Sequence, residues 1–290
     1  MELKLNISNE TNKLKKVIVG IARDRGDHVH ENNPKIVEHK QKGTLPSEHM
    51  LINQVNGLVH ALESQGIEVL RPTNISEQDQ IFARDIAFVI DDVLVKSSMK
   101  KKNRTVELDG IKHIFDMVAP NKLIEPPETA NIEGGDVLVH GNYIFIGLGE
   151  RTNFYGYEFL ESQFPEKTVV PFMLNVSDDP YKNILHLDCA FQPVGSKYGI
   201  IYNEGFKRFP DALYELFGAK NLIEVTQEEM YEMFPNILSI APDKVISDIR
   251  FSRLNSKLRK KGIEVIEVPY GEVSKFGGLF RCSTCPLERE

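Results

Sequence analysis

Residues 136–173 are DVLVHGNYIFIGLGERTNFYGYEFLESQFPEKTVVPFM, and this stretch contains every element of the unit from which the fold is predicted. Two short apolar runs flank His140–Asn142, a spacing typical of a β-hairpin with a tight turn. A helical segment, FYGYEFLESQF, follows the hairpin, and a third β-type run, TVVPFM, comes after it. The stretch therefore predicts one strand–strand–helix–strand unit.

The same order of elements recurs along the rest of the chain. Apolar residues repeat at helical spacing between Leu51 and Leu62, where Ser47 can cap the helix and Gly66 can end it. Further hairpins are predicted at FQPVGSKYGIIYN and ILSIAPDKVISD, each followed by a helical segment and another apolar run. This makes about five units of roughly 50 to 60 residues that share a pattern rather than a sequence. With no linker-like tract, residues 1–290 are predicted to form one α/β domain.

Composition limits the function classes that the chain can serve. Of its 290 residues, 41% are hydrophobic and 27% are charged, which is sufficient for a sizeable core. The net charge of −7 argues against a nucleic-acid partner. No apolar run has the length of a membrane span or of a secretory signal. Three cysteines, an odd number, favour a reducing compartment, so a cytoplasmic protein is expected.

Side chains with catalytic potential stand at the starts of successive units. They are Asp85 in FARD, Glu133 and Asp136 in NIEGGD, His186 and Asp188 in ILHLDCAF, and Cys282 in GGLFRCSTCPLERE. Taken singly, each has a structural explanation as a turn former, a solvated acid or a buried histidine. Five units around a common axis would bring equivalent positions together at a central channel, so these side chains are predicted to converge.

The pair Cys282 and Cys285 allows three interpretations: half of a metal site, a redox pair, or a nucleophile with a neighbour. A zinc site needs further soft ligands, and the sequence has no second CxxC and no HxxxH. A redox dithiol normally opens a helix of a thioredoxin-like unit, which is not predicted here. A nucleophilic Cys282 is therefore favoured, while Cys189 and Cys285 are interpreted as structural.

The chemistry of the predicted cluster favours a cationic substrate. A thiolate suits attack on a soft electrophilic carbon, and a histidine can carry protons to and from the leaving group. Neighbouring carboxylates would suppress that thiolate by like-charge repulsion unless a cation is bound between them. A guanidinium is flat, forked and positive, and it pairs with carboxylates through two hydrogen bonds. The cluster therefore predicts a small guanidino substrate.

The segments FARD, NIEGGDVLVHG, IGLGERTN, HLDCAF and GGLFRCSTCPL, in this order, closely resemble the guanidine-modifying enzyme superfamily. This group includes arginine deiminases, dimethylarginine dimethylaminohydrolases and amidinotransferases. The resemblance extends from about Lys16 to Glu290. It implies a five-bladed pseudo-symmetric α/β propeller, the pentein fold, with a central active site and with no metal and no cofactor. Dimers are common in this superfamily, so a homodimer is one expectation.

The resemblance also implies a role for each of seven residues. These are Cys282 as nucleophile, His186 as general acid/base, Glu133 as the acid that orients the histidine, Asp85 and Asp188 as guanidinium ligands, and Arg104 and Arg151 as ligands of the substrate α-carboxylate. The implied mechanism passes through a thiouronium intermediate on the cysteine. The assignment of Arg104 depends only on its position nineteen residues after Asp85, and a solvated basic loop is the alternative.

Features of the motifs differ between branches of the superfamily. Asp188 in HLD resembles deiminases and amidinotransferases and disfavours methylarginine, whereas Glu133 in EGGD and the compact length resemble hydrolases. The expected activity is hydrolysis of free arginine or a close derivative, with an amidinotransferase as the alternative. The same fold also occurs in a ribosome-binding translation factor, but a pure binding role predicts loss of the catalytic set.

Residues 22–49 form a long polar stretch between the first strand and the first predicted helix. An irregular lid over the channel is one interpretation, since excluding water would help to hold a charged substrate. An ordinary surface loop is the alternative.

Overall fold

The computed structural model describes residues 2–26 and 33–290, which form fifteen strands and nine α-helices. The strands are β1 (Leu14–Val19), β2 (Glu68–Leu70), β3 (Ala87–Ile90), β4 (Val93–Lys96), β5 (Leu123–Ile124), β6 (Val137–His140), β7 (Tyr143–Leu148), β8 (Thr168–Met173), β9 (Phe191–Val194), β10 (Tyr198–Ile201), β11 (Leu222–Glu224), β12 (Leu238–Ala241), β13 (Lys244–Asp248), β14 (Glu264–Val268) and β15 (Thr284–Arg289). The helices are α1 (Pro34–Gln41), α2 (Glu48–Ser64), α3 (Ala83–Ile86), α4 (Lys112–Phe115), α5 (Phe154–Gln163), α6 (Asp211–Phe217), α7 (Gln227–Tyr231), α8 (Ser252–Lys260) and α9 (Gly271–Ser274).

The strands form five three-stranded sheets with the same internal plan. Their orders are β15-β1-β2, β3-β4-β5, β6-β7-β8, β9-β10-β11 and β12-β13-β14. In each sheet one pair is antiparallel and the other pair is parallel, and the parallel pair is connected through helical segments. The α/β class is therefore confirmed, and the five sheets fit the five predicted units.

The sheet β15-β1-β2 joins the two ends of the chain. β15 lies antiparallel to β1, with Ile18 opposite Cys285 and Val19 opposite Thr284. In the other four sheets the antiparallel partners are consecutive in sequence, as expected of hairpins. The first unit thus takes one edge strand from β15, which begins two residues after Cys282.

Local sequence signals explain why the elements lie where they do. The Ser47 side chain accepts a hydrogen bond from the Met50 amide and caps α2, which buries its apolar face at residues 51, 55, 58 and 62. Gly66 follows this helix with a φ of 73°. Gly141, between β6 and β7, has a φ of 58°, a conformation that side chains with a Cβ disfavour. The predicted helix and hairpin are both confirmed.

Two segments are more helical than the sequence indicated. Within the stretch predicted to be irregular, Pro34 starts α1 and the Asn33 side chain caps it by accepting from the Lys35 amide. Residues 27–32 of that stretch lie outside the described residues. Lys102–Ile111, for which a solvated basic loop was the alternative to a binding role of Arg104, forms a 3₁₀ helix that leads into α4.

The described residues include no helix long and apolar enough to cross a membrane. They bury two clusters of hydrophobic side chains, one around sheets β9-β10-β11 and β12-β13-β14 and the other around sheets β3-β4-β5 and β6-β7-β8. The assignment of residues 1–290 to one domain stays a prediction.

Candidate active site

Five of the seven predicted site residues lie just before the first strands of their sheets, whereas Arg104 and Arg151 follow β4 and β7. Asp85 is in α3 before β3, Glu133 precedes a 3₁₀ turn before β6, and His186 precedes a 3₁₀ turn before β9. Cys282 lies in the turn before β15. Because these short turns meet one another, the side chains at the starts of different units come together as predicted.

One small enclosed cavity brings most of these residues together. Its lining includes Asp85, Arg104, Arg151, His186 and Cys282, all of which were predicted from the sequence. The centre of a water molecule can occupy about 30 Å³ of the cavity. This volume is enough for one or two waters but too little for an amino acid. The cavity as described is therefore smaller than a molecule of that size.

The remaining cavity wall comes partly from the motifs, through Phe82, Leu185 and Gly277, and partly from segments outside them. Asn33 and Ile36 come from the start of α1, and Phe276 and Gly277 from the turn before the cysteine. Asp79 also lines the cavity, and its carboxylate accepts a hydrogen bond from Arg25 at 2.9 Å. The proximity of α1 to the cavity is consistent with the interpretation of residues 22–49 as a lid, which stays a prediction.

His186 is held between carboxylates. Its Nε2 lies 2.9 Å from Glu133 Oε2, and its Nδ1 lies 3.7 Å from Asp85 Oδ1. Burial lowers the pKa of His186, but the charges of Asp85 and Asp136 and the hydrogen bond to Glu133 outweigh burial and raise this pKa to about 9. The imidazole is therefore protonated at neutral pH and can donate a proton.

Two arginines balance the acids of the cavity. Arg104 donates from Nη1 to Asp85 at 2.8 Å and binds Glu107 through Nε and Nη2 at 2.7 and 3.0 Å. Arg151 donates from Nη1 to Glu133 at 3.3 Å. Both arginine side chains are buried, so Arg104 does not belong to a solvated basic loop. Asp85 Oδ1 and His186 Nδ1 make no hydrogen bond with the described part of the chain.

Glu133 and Asp188 do not line the cavity, although each contacts a residue that does. Asp188 lies beside the nucleophile candidate, with its carboxylate oxygens 3.6 and 3.8 Å from Cys282 Sγ. Its Oδ2 also accepts a hydrogen bond from Arg281 at 2.8 Å. Burial and the charge of Asp188 raise the pKa of the Cys282 thiol well above its usual value. A thiolate here needs further stabilisation.

The turn that carries Cys282 depends on its two glycines. Gly277 has a φ of 79°, and a Cβ there would lie 2.2 Å from the Asn33 side chain. A Cβ on Gly278 would lie 2.4 Å from the Phe82 ring. The glycine pair therefore lets the backbone pass close to Asn33 and Phe82 as it turns towards the cysteine.

Two buried residues close to Cys282 were not among the predicted site residues. Asn236 donates from Nδ2 to Cys282 Sγ at 3.1 Å. Arg281 links Asp188 to Glu10, whose carboxylate accepts from it at 3.2 Å. The position of Asn236 at the start of the fifth unit, in FPNILSI, was a signal that could have identified it. The residue was missed because its amide carries no charge, unlike the acids at the starts of the other units.

Asp85, Glu133 and His186 also have the residue types of a metal site. Their donor atoms all lie within 4.8 Å of one another. However, Arg104 already binds Asp85, and Arg151 already binds Glu133, so two guanidinium groups offset these charges. The expectation that the site uses no metal and no cofactor stays a prediction.

Comparison with known proteins identifies the family. Residues 30–289 match the family model described as N,N dimethylarginine dimethylhydrolase, eukaryotic, and the chain belongs to this family. It is 35% identical over 240 residues to the uncharacterised protein YkgA of Bacillus subtilis (strain 168), covering 82% of this chain and 80% of YkgA. The resemblance to the guanidine-modifying superfamily is thereby confirmed.

Solved structures show the same fold at low sequence identity. The N-terminal domain of ArgZ, a cyanobacterial arginine dihydrolase, has a TM-score of 0.81 and 22% identity, with 94% of this chain and 98% of that chain covered. That domain has been solved with substrate and also covalently bonded to a reaction intermediate. Inosamine-phosphate amidinotransferase StrB1 of Streptomyces griseus has a TM-score of 0.79 and 17% identity, covering 98% and 97%.

Proposed function

We propose that the protein hydrolyses a C–N bond of a guanidino compound, with free arginine or a close derivative as the substrate. The observation that carries this proposal is one cavity lined by a thiol, an imidazole, two carboxylates and two arginines. The proposal includes closure of the five units around this cavity, in the manner of a propeller.

The unpartnered atoms of the cavity support a guanidinium ligand. Asp85 Oδ1 and His186 Nδ1 make no hydrogen bond with the described residues, and Asp85 offers the negative charge that a guanidinium N–H group requires. Arg104 and Arg151 supply positive charge for a carboxylate at the other end of the substrate. The set therefore suits a molecule with a guanidinium at one end and a carboxylate at the other, as in arginine.

The first half of the reaction forms a bond between sulfur and carbon. A bound guanidinium offsets the negative charge of Asp188 and Asp85, which lowers the pKa of the Cys282 thiol and favours its thiolate. The thiolate attacks the guanidinium carbon and gives a tetrahedral adduct. Protonated His186 donates its proton to the departing nitrogen, the C–N bond breaks, and an S-alkylthiouronium remains on Cys282.

The second half of the reaction regenerates the thiolate. His186, now neutral, takes a proton from water, and the resulting hydroxide attacks the thiouronium carbon. The C–S bond breaks, the electron pair returns to the sulfur, the hydroxyl proton of the adduct is lost to solvent, and a ureido product leaves. Glu133 holds the imidazole through Nε2 during both proton transfers. The covalent intermediate of the ArgZ domain, which shares this fold, supports such a pathway.

Product analysis tests this proposal. The protein is incubated with arginine, dimethylarginine and agmatine in turn, and the products are identified by mass spectrometry, with Cys282→Ser as the inactive variant. Cys285→Ser is the matched control, because the Cys285 thiol is buried against the Ala87 carbonyl and away from the cavity. A ureido product that disappears only in Cys282→Ser is expected. Absence of any product from all three compounds would overturn the proposal.

An amidinotransferase is the second candidate. The similarity to StrB1, which covers nearly all of both chains, supports it. This alternative predicts ornithine from arginine, with the amidino group retained on Cys282 until an amine acceptor is added. The same mass spectra distinguish the alternatives, because the retained group adds mass to the peptide that contains Cys282.

A further inference from the structure

Asn236 is a buried polar residue at the start of the fifth unit. It lies in the 3₁₀ turn Phe234–Asn236 directly before the strand β12, a place equivalent to those of Asp136 and Asp188 in the third and fourth units. Its side chain is fully buried. The reaction derived above gives it no role.

Hydrogen bonds from the cysteine turn fix the orientation of the Asn236 amide. Its Oδ1 accepts from the backbone N–H groups of Leu279 at 3.1 Å and of Cys282 at 3.0 Å. Its backbone carbonyl accepts from the Arg281 amide at 3.2 Å. Reversing the side-chain amide would place its NH₂ against two N–H donors, so the amide has one favourable orientation.

In that orientation the NH₂ group faces acceptors. Nδ2 lies 3.1 Å from Cys282 Sγ and 3.4 Å from the Asp188 carbonyl oxygen. An anionic sulfur accepts such a hydrogen bond more strongly than a neutral thiol does, because hydrogen bonds to charged groups are about twice as strong. The contact therefore favours the thiolate over the thiol.

The chemistry of the site favours a neutral donor at this position. A lysine or arginine beside the sulfur would also stabilise the thiolate, but its charge would repel a cationic guanidinium. The asparagine amide donates a hydrogen bond without net charge. It can therefore offset part of the effect of burial and Asp188 without weakening substrate binding.

We propose that Asn236 is a catalytic residue that donates a hydrogen bond to the Cys282 thiolate and holds the cysteine turn so that the sulfur faces the cavity. This inference rests on the proposed function, because it takes Cys282 as the nucleophile.

The test uses Asn236→Asp, which keeps the shape and the acceptor oxygen but replaces the donor by a second acceptor. The pH dependence of Cys282 alkylation by iodoacetamide is measured on the free protein, and the modified peptide is quantified by mass spectrometry. We expect the midpoint to rise by about one pH unit or more, with alkylation at neutral pH about tenfold slower. Asn236→Ser, which also removes the donor to the sulfur, is expected to shift the midpoint in the same direction.

Asn203→Asp is the matched control, since Asn203 donates to Tyr214 Oη and to Glu224 in the fourth unit, outside the cavity lining. Its alkylation midpoint should equal that of the wild type. An unchanged midpoint in both folded Asn236 variants would overturn the proposal.

A measurement on the wild-type protein covers the case in which the variants do not fold. The side-chain amide proton signals of Asn236 should move in the NMR spectrum with the same midpoint as Cys282 alkylation. Signals that stay constant through that midpoint would overturn the proposal. Alkylation needs no substrate. A raised midpoint in a protein that converts no guanidino compound would therefore refute the proposed function and the catalytic role, but it would support the hydrogen bond from Asn236 to the Cys282 thiolate.

Discussion

The charged groups near Cys282 form two regions, one that lines the cavity and one that does not. The first is the cavity lining, where Asp85 and His186 keep polar atoms without a hydrogen bond inside the described chain. The second, here called the Glu10 cluster, consists of Glu10, Arg84, Arg281 and Arg289, all buried. Both regions contain buried polar atoms that make no hydrogen bond with the described residues, but only those of the first region line the cavity, where a ligand can reach them. In the Glu10 cluster the chain itself places one carboxylate among the three arginines.

Arg281 connects the two regions. Its Nη1 donates to Asp188 at 2.8 Å, and its Nη2 donates to Glu10 at 3.2 Å and to the Val137 carbonyl at 2.7 Å. Asp188 in turn contacts the sulfur of Cys282. If the cavity binds the proposed substrate, similar residue types serve binding in one region and stability in the other. We therefore expect substitutions in the two regions to have separate effects.

The largest effect is expected in the cavity. His186→Asn should reduce kcat on the guanidino substrate by about a hundredfold to ten-thousandfold, because the proton donor to the leaving nitrogen is lost. Glu133 keeps its hydrogen bonds from Arg151 and the Lys100 amide, so the melting temperature should change little. Steady-state kinetics and thermal unfolding measure the two quantities. A His186→Asn variant with a lowered melting temperature and a normal kcat would contradict the prediction that the two regions have separate effects.

Glu10→Gln should show the opposite behaviour. Removing this carboxylate takes the shared acid away from three buried arginines, of which Arg281 alone keeps a hydrogen bond to Asp188, and should lower the free energy of unfolding by about 3–5 kcal/mol. Burial opposes the charge of Glu10, but Arg281, Arg84 and Arg289 outweigh it and lower its pKa from 4.5 to about 2. Denaturant titration at neutral pH measures the loss.

The pH dependence gives a second readout of Glu10. Because its folded-state pKa is lowered, its contribution to stability is complete above about pH 4.5 and is lost as the pH falls towards 2. That loss should amount to about 3 kcal/mol in the wild type and be missing in Glu10→Gln. Equal slopes of stability against pH between 4.5 and 2 in both proteins would contradict the assignment.

A smaller effect is expected from Arg151→Met. If Arg151 binds the α-carboxylate, kcat/KM for arginine should fall by about tenfold to a hundredfold, as for loss of one charge-assisted hydrogen bond. Agmatine lacks that carboxylate, so its kcat/KM should fall much less. Comparing the two substrates separates binding from the contact of Arg151 with Glu133. Equal losses for both substrates would assign Arg151 to positioning Glu133 instead.

The smallest changes compare two glycines. A Cβ on Gly135 would lie 2.7 Å from the imidazole ring of His186, so Gly135→Ala should displace the ring and lower kcat by about tenfold. Gly57 lies in α2, where the nearest atom to an added Cβ is 3.9 Å away. Gly57→Ala should leave kcat unchanged and stabilise the protein by about 1 kcal/mol. Measuring kcat and the free energy of unfolding of both variants tests whether kcat depends on the space beside the His186 imidazole.

The fold could be predicted from local signals. Ser47 before an apolar helical repeat and Gly141 between two apolar runs each act within a few residues, and the structure follows them. The start of α1 was missed, although Asn33 and Pro34 are a favourable N-cap and first residue. The polarity of residues 22–49 concealed that signal, since α1 buries only a small part of its surface.

The site could be predicted where the repeat and the motifs place charged residues at equivalent positions, as for Asp85, His186 and Cys282. The partner of Arg281 could not, because Glu10 is 271 residues away and no local pattern records which buried acid faces which arginine. Such pairings follow from the packing of whole sheets against one another.

The pairing of β1 with β15 has a consequence for synthesis on the ribosome. β1 emerges before the other described strands, but its antiparallel partner begins at Thr284, two residues after Cys282. The sheet is therefore completed only after the strands of the other four sheets have been made, and a contact of such long sequence separation closes late. A nascent chain that stops short of residue 284 leaves β1 with an open edge and the cysteine turn without its anchor. Cys282 therefore reaches its place only after translation has passed β15.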